Sequence, residues 1–259
     1  MNMQSVLNAF RVLEEIAVSQ PIGVSELARR LDQPKTSTQR TLLALQKTGW
    51  IRPAGETTRW LLTSRPLAVA RHVGEDLGLR DAAQPEMEEL RRQTGETIHL
   101  TVPEGRSVVL IERLDSYHAL RTVNPLGGRA PIYASAGGKA ILASWSPAEF
   151  AEIARAGLRR HTETTITDPE NLARALQLIR DQGYAVNRGE WSDDVGAVAA
   201  AIIGPDGRAI AAVSISAPRH RLPDEAVEGY GRLVVEAARR ISAAVGYRPV
   251  NRLVAVLQS

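Results

Sequence analysis

Apolar and polar positions along this chain follow two periods, and the switches between them mark out its elements. Val6, Phe10, Leu13 and Ala17, flanked by Ala9 and Ile16, recur at helical spacing after Ser5, a residue type that caps helices. Pro21 and Gly23 stop this first helix. Ser25 caps a short second one with Leu27, Ala28 and Leu31 facing inward. Asp32-Gln33 makes a turn, and Pro34 opens a third helix as its first residue, with Thr38, Thr41, Leu42 and Leu45 on the inner side and Gly49 at the end. Trp50 to Pro53 and Thr58 to Thr63 then alternate with period two around a turn containing Gly55. Three helices followed by a two-stranded hairpin, with a tight turn between the second and third helices, is the layout of a winged helix-turn-helix.

Arg65-Pro66 ends the strand-like run. Pro66 to Leu79 reads as a helix with Leu67, Ala70, Val73 and Leu77 on one face, and Pro85 opens the next helix, which ends at Thr94. Strands are expected at Thr97 to Val102, Ser107 to Arg113 and Leu120 to Val123. Helices follow at Ala136 to Ser144, Pro147 to Ala156 and Pro169 to Gln182. Strands return at Ala185 to Glu190, Val195 to Ile203 and Ala209 to Ser216, the last two joined by the turn Gly204-Pro205-Asp206-Gly207. A closing helix runs from Pro223 to about Val245. Consecutive strand pairs imply antiparallel pairing, so the fold class is α+β with a mostly antiparallel sheet. The chain divides into a head at 1–65, a linker helix at 66–84 and a larger domain at 85–259.

Composition narrows the function. The 259 residues are 44% apolar and 24% charged, an ordinary globular balance. No apolar run reaches membrane-spanning length, so no membrane partner is expected. The N-terminus lacks the shape of a secretion signal, which points to the cytoplasm. The absence of cysteine removes disulfides and thiolate chemistry. The net charge of +3 matters less than its location. Residues 1–65 carry nine Lys/Arg against five Asp/Glu, and the remainder carries 23 against 24. A basic head on a near-neutral body suggests a polyanion as the head's partner.

The start of the third helix offers the matching chemistry. Lys35, Thr36, Ser37, Gln39 and Arg40 include the side-chain types that bond phosphates and base edges in the major groove, and Arg59 on the wing reaches flanking backbone or minor groove. A three-helix unit that binds protein is the competing reading. Enzyme motifs fail. Ser135-Ala136-Gly137-Gly138-Lys139 lacks the first glycine of a phosphate loop, where Tyr133 stands, and its Ser/Thr, where Ala140 stands. The five histidines never fall at metal-ligand spacing, and neither metal nor cofactor is implied. The same small residues ahead of an apolar helix leave N–H groups free for a carboxylate. A glycine turn packed against a sheet accounts for them equally. Ser214 and Ser216 put two hydroxyls on one face of an apolar strand, for a polar ligand or for bonds to backbone and water.

These residues resemble the IclR family of bacterial transcription regulators. The likeness is carried by Ser25-Glu26-Leu27-Ala28, Pro34-Lys35-Thr36-Ser37, Arg40, Leu45 and Gly49 in the head. In the body it is carried by the runs Gly127 to Ala140, Gly183 to Trp191 and Ala211 to Pro218. The resemblance implies a winged helix-turn-helix, a linker helix and an effector domain related to the GAF and PAS folds. It implies no enzyme, but a homodimer, which can pair into a tetramer as a dimer of dimers, acting on a double-stranded DNA operator. The genes it implies are catabolic ones, repressed or activated in response to a small-molecule effector, a carboxylate. The implied effector contacts are Ala136, Gly137, Asn187, Ala197, Ser214 and Ser216, with Leu120 and Thr122 nearby. Relatives often carry Asp where Asn187 stands and Cys where Ala197 stands. His99 and Arg121, on expected strands, have a structural role as the first reading and are otherwise further candidates to face the pocket, Arg121 as a bidentate partner for a carboxylate.

Overall fold

The computed structural model describes residues 3–70 and 78–247, and contacts divide the chain into two compact units at residues 75/76. In the first unit, α1 (Met3–Ser19), α2 (Val24–Arg30) and α3 (Lys35–Lys47) pack with a small antiparallel sheet of order β1 (Ile22–Gly23), β3 (Arg59–Leu62), β2 (Ile51–Pro53). Val12, Ile16, Ile22, Leu27, Leu42, Leu45, Ile51 and Trp60 form its core. Arg30 bridges Glu15 on α1 and Glu26 within α2, at 2.9 and 2.8 Å. The chain enters α3 through a tight turn with Asp32 at φ 50° and Gln33 N–H donating to the Ala28 carbonyl.

The inner face of α1 differs from the expected one. The core takes Val12 and Ile16, with Ala9 and Leu13 at its margin, while Val6 is exposed and Phe10 is 60% exposed. Nearly every non-polar position of α1 belongs to one of two stripes, 9/12/13/16 or 3/6/7/10, and periodicity cannot rank them. Helix α4 (Arg65–Ala70) follows the wing with Leu67 exposed. Of the rest of the expected linker face, Ala70 is also exposed, and Val73 and Leu77 lie outside the described residues.

The second unit opens with α5 (Leu79–Thr94), six residues earlier than the expected start at Pro85, which sits inside the helix. An interior proline costs about 3 kcal/mol. Burial of Leu79, Ala83, Met87 and Leu90 outweighs it, at about 1.5–3 kcal/mol per large apolar side chain. Six antiparallel strands follow in the order β6 (Arg129–Pro131), β5 (Ser107–Leu114), β4 (Thr97–Glu104), β9 (Ala209–Pro218), β8 (Val195–Ile203), β7 (Ala185–Arg188). Helices α6 (Ala136–Ala143), α7 (Pro147–Arg155), α8 (Pro169–Gln182) and α9 (Asp224–Ala244) complete the unit.

Strand alternation sorts the sheet into two faces. Ile98, Leu100, Val213 and Ile215 pack with α5 and α9, while Ala199 and Ala212 pack with α6 and α8. Thr97, His99 and Thr101 of β4 and Ser214 and Ser216 of β9 share the α6 side. The expected strand at Leu120 to Val123 is absent. The outer edge of β5 at residues 107–109 pairs instead with β6, which sequence reading missed, and 115–128 crosses the unit as a loop. Among the described residues no helix is long and apolar enough to cross a membrane.

Candidate functional site

Helix α3 begins after Pro34 without a side-chain cap, so its first amides are open to an external acceptor. With Thr38, Leu42 and Leu45 buried, Lys35, Thr36 and Arg40 stand exposed and Ser37 and Gln39 half-buried along the start of the helix. Unlike Arg30, Lys35 and Arg40 make no ion pair among the described residues, so their charge is uncommitted. Leu43, exposed one turn beyond Gln39, was missed from sequence because an apolar residue carries no charge signal. Arg59 is exposed on β3, but its guanidinium donates to the Pro21 carbonyl at 2.7 Å.

In the second unit a cavity of about 640 Å³ lies between the polar face of the sheet, the start of α6 and the 122–128 loop. Ala136, Gly137 and Asn187 line it, as do Ala197, Ser214, Ser216 and Thr122. Leu120 and Arg121 do not. Without the expected strand, the loop turns Thr122 inward and leaves Leu120 65% exposed, and Arg121 lies 3.9 Å from Asp115. His99 also lines the cavity, as do Thr101, Arg129 and Trp191, which the sequence reading left out. These come from separate elements, and only the folded sheet brings them together.

Ser135 caps α6, accepting from the Gly138 N–H at 3.2 Å and donating to the Pro131 carbonyl at 3.0 Å. The Ala136 and Gly137 N–H groups have no acceptor among the described residues, which leaves two adjacent donors and the positive end of a helix at the cavity. The glycines also serve close packing. A Cβ on Gly137 would lie 2.7 Å from Thr101 Oγ1, and one on Gly138 2.2 Å from the Ile132 carbonyl oxygen.

Several polar groups around the cavity are already committed. Asn187 Oδ1 accepts from the Gly189 and Glu190 N–H groups at 2.9 and 3.0 Å, and Nδ2 donates to the Ala134 carbonyl at 2.6 Å. Asp at this position could accept as Asn does but could not make the last bond. Thr122 and Ser216 hydroxyls pair at 3.2 Å. Lys139, which sequence reading tested as part of a phosphate loop, is buried against Glu190 and donates to the Val186 carbonyl at 2.8 Å. Burial pushes the Lys139 pKa down and the Glu190 pKa up, each toward its neutral form. Thr162 and Thr165 hydroxyls donate to the Gly189 and Glu190 carbonyls, both at 2.7 Å, and Thr164 donates to the Arg188 carbonyl at 3.3 Å. His161 meets Trp191 edge-on with centroids 4.5 Å apart, fixing that ring at the cavity rim.

His99 and Ser214 differ from these. Both are buried, and neither side chain makes a hydrogen bond among the described residues. Burial first, then the nearby Arg113 cation, lowers the His99 pKa to about 4, so the imidazole is neutral at neutral pH. The one charged side chain lining the cavity, among the described residues, is Arg129, paired with Glu104 at 2.9 Å.

Two family models match the chain: the IclR helix-turn-helix domain at residues 5–55 and the bacterial transcriptional regulator IclR C-terminal domain at residues 72–243. The HTH-type transcriptional regulator KdgR of Escherichia coli is 33% identical over 248 residues, 95% of this chain and 94% of KdgR. The crystal structure of the Thermotoga maritima IclR superposes with a TM-score of 0.81 at 28% identity, covering 95% of this chain and all of that one. An IclR homolog from Microbacterium hydrocarbonoxydans, complexed with 4-hydroxybenzoate, also gives 0.81 at 28% identity, covering 93% and 98%. The head-and-sensor architecture, the uncommitted basic helix start and the cavity beneath α6 are thus features of a DNA-binding regulator with a small-molecule effector domain, not of an enzyme, and the chain belongs to the IclR family of bacterial transcription regulators.

Proposed function

We propose that this regulator binds its operator as a homodimer and responds to a small organic acid held in the cavity beneath α6, controlling catabolic genes in the cytoplasm. The head at 1–65 reads DNA, the segment after it links, and the second unit, which opens with α5 at Leu79, senses. Lys35, Thr36, Ser37, Gln39 and Arg40 contact phosphates and base edges from the start of α3, and Arg59 supports the wing contact. Two heads read half-sites about one helical turn, roughly 34 Å, apart or a multiple of it, and such dimers can pair into a tetramer as a dimer of dimers. The observation that carries the effector reading is the pair of unaccepted N–H groups at Ala136 and Gly137 opening on the cavity. The 4-hydroxybenzoate bound by the Microbacterium homolog supports an acid. The acid acts on DNA binding only to the extent that it prefers one of two conformations of the chain.

The test has two arms. Arg40→Ala should weaken operator binding by about 1–3 kcal/mol if the guanidinium reads a guanine, and unchanged affinity in a mobility-shift titration removes it from the interface. A panel of organic acids should raise the melting temperature of the wild-type chain. A stabilising acid that is not lost in Ala136→Trp overturns the assignment of the cavity.

A further inference from the structure

His99 on β4 lies directly opposite Ser214 on β9. They are 7% and 5% exposed and both line the cavity. The His99 Nε2 is an enclosed polar atom without a partner, and no described residue hydrogen-bonds the Ser214 hydroxyl. A buried polar group left unpaired is costly, and folded cores pair nearly all of theirs. Several polar groups around the cavity follow that rule, as the Thr122–Ser216 pair, the Asn187 clamp and the Arg129–Glu104 ion pair show. Among the buried groups that line the cavity, two sets of open hydrogen-bonding positions remain, the Ala136 and Gly137 N–H groups at the start of α6 and the His99–Ser214 pair on the sheet.

These two poles differ in charge. The helix start favours an anion. The sheet pole is neutral, since burial and Arg113 hold the imidazole deprotonated. Arg113 is itself taken up by Asp115 at 2.7 Å and by the Asn124 carbonyl. A second carboxylate placed there would be buried without a free cation. A hydroxyl both donates and accepts, and so satisfies an imidazole nitrogen and a serine hydroxyl together. A cavity of about 640 Å³ has room for a ligand that carries a ring or chain.

We propose that the effector is a monocarboxylate bearing a neutral hydroxyl, its carboxylate on the Ala136 and Gly137 amides and its hydroxyl between His99 and Ser214, with His99 as the residue that selects for the hydroxyl. This rests on the cavity being the effector site and adds the second pole. The test is calorimetric titration of the full chain with benzoate, meta- and para-hydroxybenzoate and terephthalate, and with phenylacetate and its ring-hydroxylated forms. At least one hydroxy acid should bind about tenfold tighter than its parent, and terephthalate no tighter than benzoate. In His99→Leu the ratio of hydroxy acid to parent should fall to about twofold or less, and in His99→Gln it should be partly restored. Should His99→Leu fail to fold, as judged by lost operator binding, Ser214→Ala must lower the same ratio. Equal binding of hydroxy acid and parent by the wild type, a preference for the dicarboxylate, or a hydroxyl preference that survives His99→Leu overturns the proposal. If the parents bind and are lost in Ala136→Trp, the effector site stands even when the hydroxyl preference fails. Binding of no acid overturns both.

Discussion

At the scale of single residues, the cavity is defined as much by committed groups as by open ones. Asn187, an effector contact implied by the resemblance, lines the cavity and also fastens the 187–190 turn to the Ala134 carbonyl, and Lys139, in a run that only superficially matches a phosphate loop, is spent on Glu190. Their partners lie about fifty residues away, and no local pattern encodes such pairings. Ser214 and Ser216 were legible, because period-two alternation fixes which way a strand residue points. His99 carries a prediction of its own. Its proton is held more weakly in the folded chain, pKa about 4, than in a free imidazole side chain, whose ordinary value is 6.5. As pH falls from 6.5 toward 4, the unfolded chain takes up the proton first, so stability is full above this window and declines through it. Urea unfolding should show His99 removing about 2 kcal/mol between about pH 7 and about pH 5, and His99→Leu should flatten the profile by that amount. A mutant profile as steep as the wild type would mean that His99 is accessible to water when folded.

At the scale of elements, turn chemistry made most of the sensor domain readable. Helix α8 occupies Pro169–Gln182, as its Asp168 cap and the αL Gly183 dictate, and β8 and β9 flank the Gly-Pro-Asp-Gly turn. The failures occurred where tertiary contacts overrode a local signal. Residues 120–123 have strand-like composition, but the β5 edge they needed is taken by β6. Pro85 resembles a helix start, yet packing carries α5 through it. That burial should leave a measurable residue of strain. Pro85→Ala restores an N–H to an exposed helix position and should stabilise the second unit by about 1–3 kcal/mol. The gain should appear as a higher urea midpoint with an unchanged slope. No gain would show that the helix bends enough at Pro85 to lose nothing there.

At the scale of the whole molecule, the outer stripe of α1 bears on assembly. Met3, Val6, Leu7 and Phe10 follow one another at helical spacing and are exposed, an apolar surface larger than an isolated head needs. In the proposed homodimer this stripe is covered. Phe10→Glu should therefore shift sedimentation toward the monomer and weaken operator binding, because one head reaches one half-site. It should leave acid binding by the sensor domain intact. A variant that remains dimeric places the subunit contact elsewhere.

The margins of the large sheet limit how such molecules can join. Strand β6 is three residues long and ends in Pro131, which has no N–H to offer a further strand. Strand β7 is four residues long, and the carbonyls where it ends and turns away, at Arg188, Gly189 and Glu190, are occupied by the hydroxyls of Thr164, Thr162 and Thr165. Short, blunted edges resist annealing with a neighbouring chain. Growth of this sheet across subunits into an open-ended fibre is thereby disfavoured, and association is steered to helix and loop surfaces, where a closed, countable assembly can form.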